Sequence, residues 1–387
     1  MRFASSILSS LLKPVDRRGF KAIVEKHDGD AYGKSFNSWQ HLVALLFAQV
    51  TGSASLRSIE TAFNAQSNQH FHLGCARIAR STLADANARR PAAIFAELFA
   101  GLAAGLGRKA RQEGAQVLRL IDSTPVPLAA YFDCAASNGR IRGLKLHVLH
   151  DPEANCPLRA DITPANVNDI AFGRGLTIEP GVTYVFDKGY CHFGWWTKIN
   201  ESAAFFVTRP KINMRWKTLR TRPVGDAQGD GFVVTGDREV RLASKGDSKL
   251  PLFLRRITIR RDTGDVFDVI TNDASRPALE IAACYKARWQ IELFFKWLKQ
   301  NLHIRKFIAM NENAIRLQIF AAMIAFVLLS LARRTTKAKL TFKRFAELVA
   351  MFIHSRRRIA EIEKPPPVNA SGAKSRRHPG QLELAYV

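Results

Sequence analysis

Two aspartates, one glutamate and a short run of cations hold the chemistry-bearing pattern of this chain. Asp122 follows Val117-Leu-Arg-Leu-Ile121, an apolar run that reads as a strand, and Asp187 follows Tyr184-Val-Phe186, a second one. Glu292 lies within Tyr285-Lys-Ala-Arg288-Trp-Gln-Ile-Glu292-Leu-Phe-Phe-Lys296-Trp-Leu-Lys299, which has helical period. At about 100° per residue, Arg288, Glu292 and Lys299 fall within roughly 60° of Tyr285. The opposite face holds Ile291, Phe294, Trp297 and Leu298, so burial would turn the glutamate and its cations toward a cleft. Two strand-end aspartates and a helix glutamate are hard oxygen donors suited to Mg²⁺, with Mn²⁺ as substitute. Such a set can hold two ions ~3.5–4 Å apart, which activate the attacking oxygen and steady the leaving oxygen in phosphoryl transfer. Taken singly, each acid has a plainer reading. Asp-Ser-Thr-Pro and Asp-Lys-Gly are turn-forming sequences, and Arg288 with Glu292 makes an i,i+4 pair contributing ~0.2–0.5 kcal/mol.

The elements that must position these residues follow from the hydrophobic period. Helical spacing runs from about Trp39 to Ala104, with helix starts at Ser81-Thr and Arg90-Pro91, giving a helical N-terminal domain over residues 1–110. Residues 111–208 read as the first part of an α/β core. Its strands lie at 117–121, 144–149, 158–163, 183–186 and 203–208, with helices after Asn168-Asp169 and Tyr190. Asp169 reads as the cap of its helix, with a fourth acid of the site as the alternative. Residues 209–276 read as a β-rich insertion. Pro277 opens one long helix to about Leu302, within a core segment 277–308; a helical region 309–362 and a disordered basic tail 363–387 follow.

The chain has 58 lysines and arginines against 33 acids, a net charge of +25, which calls for a polyanionic partner such as nucleic acid or an anionic membrane. Residues 209–261 hold fourteen basic side chains against five acids, and residues 333–387 hold thirteen against four, so both the insertion and the C-terminal end carry +9. The longest apolar stretch, 319–332, falls short of the ~20 residues of a bilayer span and reads as a buried helix. With neither that span nor a secretory signal, no membrane partner and a cytoplasmic location are expected. Five cysteines without CxxC spacing support neither a disulfide framework nor a zinc ribbon, and no GxxxxGK[ST] loop calls for ATP. The histidine pairs His70/His72 and His147/His150 lack metal partners and read as satisfied surface or core residues.

The Tyr285, Arg288, Glu292, Lys299 spacing resembles the Tyr-two-Arg-three-Glu-six-Lys signature of DDE transposases of the insertion-sequence-four family. Asp122-Ser-Thr and Asp187-Lys-Gly-Tyr190 are similar to that family's two aspartate motifs, with Lys188 where arginine is common. The resemblance covers roughly residues 115–305. It implies an RNase H-like mixed five-stranded sheet with flanking helices, interrupted by the β-rich insertion before the glutamate helix. It further implies two Mg²⁺ ions on Asp122, Asp187 and Glu292, cleavage of double-stranded DNA at terminal inverted repeats, and cut-and-paste strand transfer into target DNA, in a homodimer on DNA. Tyr285, Arg288, Lys299, Lys296 and Lys188 would then contact DNA. In hairpin-forming members a tryptophan of the insertion supports a flipped base. Trp216 is the candidate here, with core packing as the commoner role for a lone tryptophan in a β-rich segment. Two other functions share the same charge and acids: a DNA-binding repressor that does not cut, and an RNase H-like nuclease without strand transfer.

Overall fold

The computed structural model of the chain describes residues 6–31, 35–111, 117–129, 132, 135–139, 141–225, 227–242, 252–301, 307–308 and 311–364. Most of the tail expected to be disordered therefore lies outside the described residues. Helices come first: α1 (Ile7–Leu12), α2 (Arg17–Lys26), α3 (Ser38–Thr51), α4 (Leu56–Asn64), α5 (His70–Leu73), α6 (Arg80–Arg89) and α7 (Ala93–Arg111). Asn37 and Gln40 form a reciprocal capping box at the start of α3, whose residues are buried nearly all round, as suits a helix at the centre of its layer. The start expected at Ser81-Thr is corrected. α6 begins at Arg80 without a hydroxyl cap, and the Arg80 amide instead donates to the Glu60 carboxylate of α4 at 3.0 Å.

The strands are β1 (Leu118–Pro127), β2 (Ala136–Ser137), β3 (Arg142–Asp151), β4 (Cys156–Pro164), β5 (Thr183–Phe186) and β6 (Phe205–Thr208), with α8 (Asp169–Arg174) before β5 and α9 (Phe193–Glu201) before β6. The basic segment adds β7 (Trp216–Arg222), β8 (Gln228–Gly229), β9 (Phe232–Leu242), β10 (Leu254–Arg261) and β11 (Val266–Thr271). β3 pairs antiparallel with β1 on one side and with β2 and β4 on the other, while β1, β5 and β6 run parallel. Gly143 sits at φ +143°, and a Cβ there would lie 2.3 Å from the Val126 carbonyl oxygen, so the crossing of β1 and β3 requires glycine.

Two sequence expectations change here. The mixed sheet does not end after five strands. β11 pairs antiparallel with β6, and β10, β9 and β7 follow, so the insertion extends one sheet to eleven strands. In this way the edge of β6 is paired instead of left open. Asp122 is also not at a strand end. β1 runs on to Pro127 against β3, whereas its pairing with β5 stops at Ile121 opposite Phe186.

The chain continues as α10 (Ala278–Ala287), α11 (Trp289–Asn301), α12 (Glu312–Thr336) and α13 (Phe342–Met351). The single helix expected from Pro277 to Leu302 is thus two, joined at Arg288. There the Arg288 amide donates to the Tyr285 carbonyl and the Ile291 amide to the Arg288 carbonyl, three-residue bonds that tighten the turn. α12 is long and apolar enough to cross a membrane, yet it is buried among α3, α6, α7 and α13 and against β4, so helices from both ends of the chain pack as one layer.

Helices cover both faces of the sheet. Trp195 and Trp196 of α9 are fully buried beside Phe186 and Phe206, at ring separations of 4.7 and 4.9 Å. Each indole removes about 150–250 Å² from water, at most about 4–6 kcal/mol of transfer free energy. On the other face Phe294 and Trp297 of α11 pack edge-on against Phe326 of α12 at 4.8 and 5.1 Å, which fixes the rotation of α11. Two ion pairs are buried within the sheet, Arg119 with Asp151 at 2.8 Å and Arg255 with Asp237 at 2.6 Å.

Candidate active site

The sheet and α11 bring Asp122 and Glu292 of the sequence pattern to one cleft, while Asp187 leaves the neighbouring strand and is not among the residues that line it. Side chains alternate along β1, with Leu120 and Val126 in the cluster beneath α11 and Ile121 in the cluster beneath α8 and α9. Asp122 therefore faces α11. Because Ile121 pairs with Phe186, Asp187 leaves the end of β5 level with Asp122, where the pairing of the two parallel strands stops. Ile291, Phe294 and Leu298 are buried, which leaves Glu292 and Lys299 half-buried on the other side of α11 and Lys296 exposed. A cleft of about 420 Å³ is lined by Asp122, Ser123, Thr124, Glu292, Lys296 and Lys299 among others.

Its electrostatics are those of crowded carboxylates with one local cation. Burial pushes the Asp122 carboxyl up to about 7; the amide of Ser123, 2.8 Å from Oδ1, and the Arg288 guanidinium oppose this, while Asp187 and Glu292 add to it. Arg288 spans the acids, with Nη1 3.4 Å from Asp122 Oδ2 and Nη2 2.5 Å from Glu292 Oε1. The guanidinium lies over the buried ring of Tyr285 at 5.6 Å, and Tyr285 packs in turn on Phe267. With Arg288 between Asp122 and Glu292, no three acid, histidine or cysteine side chains among the described residues converge closely enough to share one ion. The donor chemistry nevertheless fits a divalent cation. Asp122 and Glu292 face one partly buried cleft with a single guanidinium between them, Asp187 leaves the neighbouring strand, and carboxylate oxygens are the hard donors that a divalent cation takes.

Other expected residues lie around this centre. Lys188 is exposed on the single turn that follows Asp187. Trp216 does not line the cleft; it sits half-buried at the start of β7, opposite Leu242 and against the apolar cluster of the α9 face. His147 donates to or accepts from Thr163 at 2.9 Å, and His150 is buried against Phe294 with its pKa lowered to about 3 by burial alone, so both belong to the core.

Asp169 contradicts its reading as a helix cap. It is the first residue of α8, which has no side-chain cap, and its Oδ1 accepts from Ser123 Oγ at 3.0 Å and from Lys145 Nζ at 3.0 Å. Burial chiefly, and then the charges of Asp169, Asp122 and Asp187, hold the Tyr190 hydroxyl well above the usual phenol range. Sequence reasoning met Ser123 only as part of Asp122-Ser-Thr, without this role, and missed Lys145 altogether. A signal was present in Leu144-Lys-Leu-His-Val148, where Lys145 and His147 alternate with apolar residues and so share one face of a strand.

Comparison with known proteins gives a consistent result. The family model described as a transposase DDE domain matches residues 113–328, and one described as a domain of unknown function matches residues 4–76. A protein named as a transposase from Sinorhizobium fredii is 58% identical over 305 residues, covering 79% of this chain and 86% of that protein. One named as a transposase of an insertion sequence element from Geobacillus stearothermophilus is 30% identical, covering 70% of this chain and 73% of its own. Among solved structures, a piggyBac transposase synaptic complex with hairpin DNA matches at TM-score 0.43 and 11% identity, over 97% of this chain and 84% of that one.

Proposed function

The chain belongs to the DDE transposase family, and from that premise we propose that Asp122, Asp187 and Glu292 are its three metal-binding carboxylates. As a member of the family it is a DNA transposase, an enzyme that binds DNA, cleaves it and transfers strands with the aid of divalent metal. The observation that carries the assignment is the meeting of Asp122 with Arg288, 166 residues away, and through it with Glu292, where the pairing of β1 with β5 stops and Asp187 leaves β5. The strand order β4-β3-β1-β5-β6, with the first three antiparallel and the last three parallel, supports an RNase H-like core that the insertion then extends. The proposal includes a helical N-terminal DNA-binding domain over 1–110, a core split into 111–208 and 277–308 by the insertion 209–276, and a C-terminal helical region 309–362.

Asp122, Asp187 and Glu292 would hold the metal, two Mg²⁺ ions in this proposal with Mn²⁺ as substitute, which when bound would supply charge neutralisation for phosphoryl transfer. The chain's own residues do the remainder. Arg288 serves as counter-ion to Asp122 and Glu292 in the DNA-free protein, and a phosphate of the element end is the competing anion to which its fork is suited. Lys296 and Lys299 extend positive charge along the cleft beside Glu292, and Lys188 does so beside Asp187. Tyr285 acts chiefly by holding the Arg288 guanidinium over its ring. The overall reaction in this proposal is cut-and-paste transposition of an insertion sequence by a cytoplasmic homodimer, through cleavage at inverted repeats and insertion into target DNA. The test is cleavage of supercoiled plasmid bearing two cognate ends. Glu292→Ala should abolish cleavage while end binding survives, and cleavage by that variant would overturn the assignment.

A further inference from the structure

Behind the carboxylates, on the opposite face of the sheet, lies a second polar cluster. Ser123 pairs with His147 across β1 and β3, and Lys145 points to the same face two residues earlier. Lys145 Nζ donates to the Val167 carbonyl at 2.8 Å and to Asp169 Oδ1 at 3.0 Å, and Ser123 Oγ donates to the same Oδ1 at 3.0 Å. The other Asp169 oxygen, Oδ2, lies beneath the turn that carries Asp187. A Cβ placed on Gly189 would stand 3.1 Å from it, so carboxylate and turn are packed against one another. One side chain thus touches the residue after Asp122 and the residue two beyond Asp187. His147 Nδ1, buried and without a hydrogen-bond partner, stands 3.9 Å from the same Oδ1.

We propose that Asp169 is a positioning residue for the strand-cleavage reaction, setting the spacing of Asp122 and Asp187 by tying Ser123 on β1 and Lys145 on β3 to the 187–190 turn. The inference rests on the reading of Asp122 and Asp187 as metal-binding carboxylates. The reasons are geometric. Asp122 and Asp187 lie one residue past Ile121 and Phe186, the last partners of β1 and β5, where the pairing of the two strands stops. Asp169 supplies a link at that point. It is also pre-oriented, since both donors meet one oxygen and Lys145 is in turn held by a backbone carbonyl. A carboxylate committed to two donors on the far face of the sheet is a brace and not a ligand.

The experiment titrates the DNA-free protein with Mn²⁺ alone, following the free ion by electron paramagnetic resonance, and records hydrogen exchange of residues 184–192 without metal. Asp169→Ala should weaken Mn²⁺ binding by about ten- to a hundredfold, the cost usual for groups that orient metal ligands. Exchange in the 184–192 segment should rise while the melting temperature and end-DNA binding hold. Asp169→Asn, which keeps the accepting oxygen, should recover most of the affinity. Combining Ser123→Ala with Asp169→Ala should add little to Asp169→Ala, since both remove one link. Equal loss in Asp169→Asn and Asp169→Ala would instead make Asp169 a charged ligand, and unchanged Mn²⁺ affinity in Asp169→Ala would leave it no positioning role; either result overturns the proposal. Asp187→Ala is the control. If it binds Mn²⁺ as the wild type does, the carboxylate assignment itself has failed, independently of Asp169.

Discussion

Asp122→Asn should stabilise the metal-free protein, and the gain should grow with pH. The folded protein holds the Asp122 proton up to about pH 7, whereas the unfolded chain releases it near the ordinary aspartate value of 3.8. Between those values the folded state binds more protons than the unfolded one, so this group's contribution to stability falls as pH rises through the window and levels off above about 7. A shift of about three units corresponds to about 4 kcal/mol in full, of which about 3 kcal/mol develops between pH 5 and pH 8. Asparagine retains the oxygen that accepts from the Ser123 amide at 2.8 Å and has no charge to bury. The assay is urea unfolding of wild type and variant in chelator at pH 5 and pH 8. The stability difference should widen by about 3 kcal/mol at the higher pH, and a difference that does not change with pH would refute the electrostatic account of the cleft. The same proton must leave when a cation binds, so wild-type Mn²⁺ affinity should rise nearly tenfold per pH unit from 5 to 7.

Further expectations concern what supports the cleft. Asp237→Asn leaves the Arg255 guanidinium buried without its carboxylate partner and should cost about 3–5 kcal/mol in denaturant unfolding. Phe326→Ala removes the ring against which Phe294 and Trp297 pack; it should cost about 3–5 kcal/mol and slow end cleavage, because α11 then loses the contact that aims Glu292. If Lys299 contacts a phosphate, Lys299→Ala should lower the slope of log affinity for end DNA against log salt by about 1, without altering which end sequence is preferred.

Much of the centre was legible in the sequence, for reasons that can be named. Apolar runs ending in aspartate marked β1 and β5, and the buried stripe of Ile291, Phe294 and Leu298 oriented Glu292 correctly. What escaped was set by pairing over long sequence distances. Nothing local says that β1 runs on past Asp122, because its second half is held by β3 and not by its own propensity. The break at Arg288 is invisible to periodicity, since the arginine is drawn to Asp122 from a different part of the chain. Asp169 followed an asparagine at a helix start and read as a cap; its partners Ser123 and Lys145 lie 46 and 24 residues away. The joining of the insertion to β6 likewise depends on a register, Ile270 with Thr208, that no composition announces.

The most direct test of the central claim is cleavage of a plasmid carrying paired cognate ends, with wild type and Asp187→Ala compared in Mg²⁺ and in chelator. The carboxylate assignment predicts end-specific cleavage by the wild type in Mg²⁺ alone and none by Asp187→Ala, with both proteins binding end DNA. Cleavage that persists in Asp187→Ala or in chelator would contradict it.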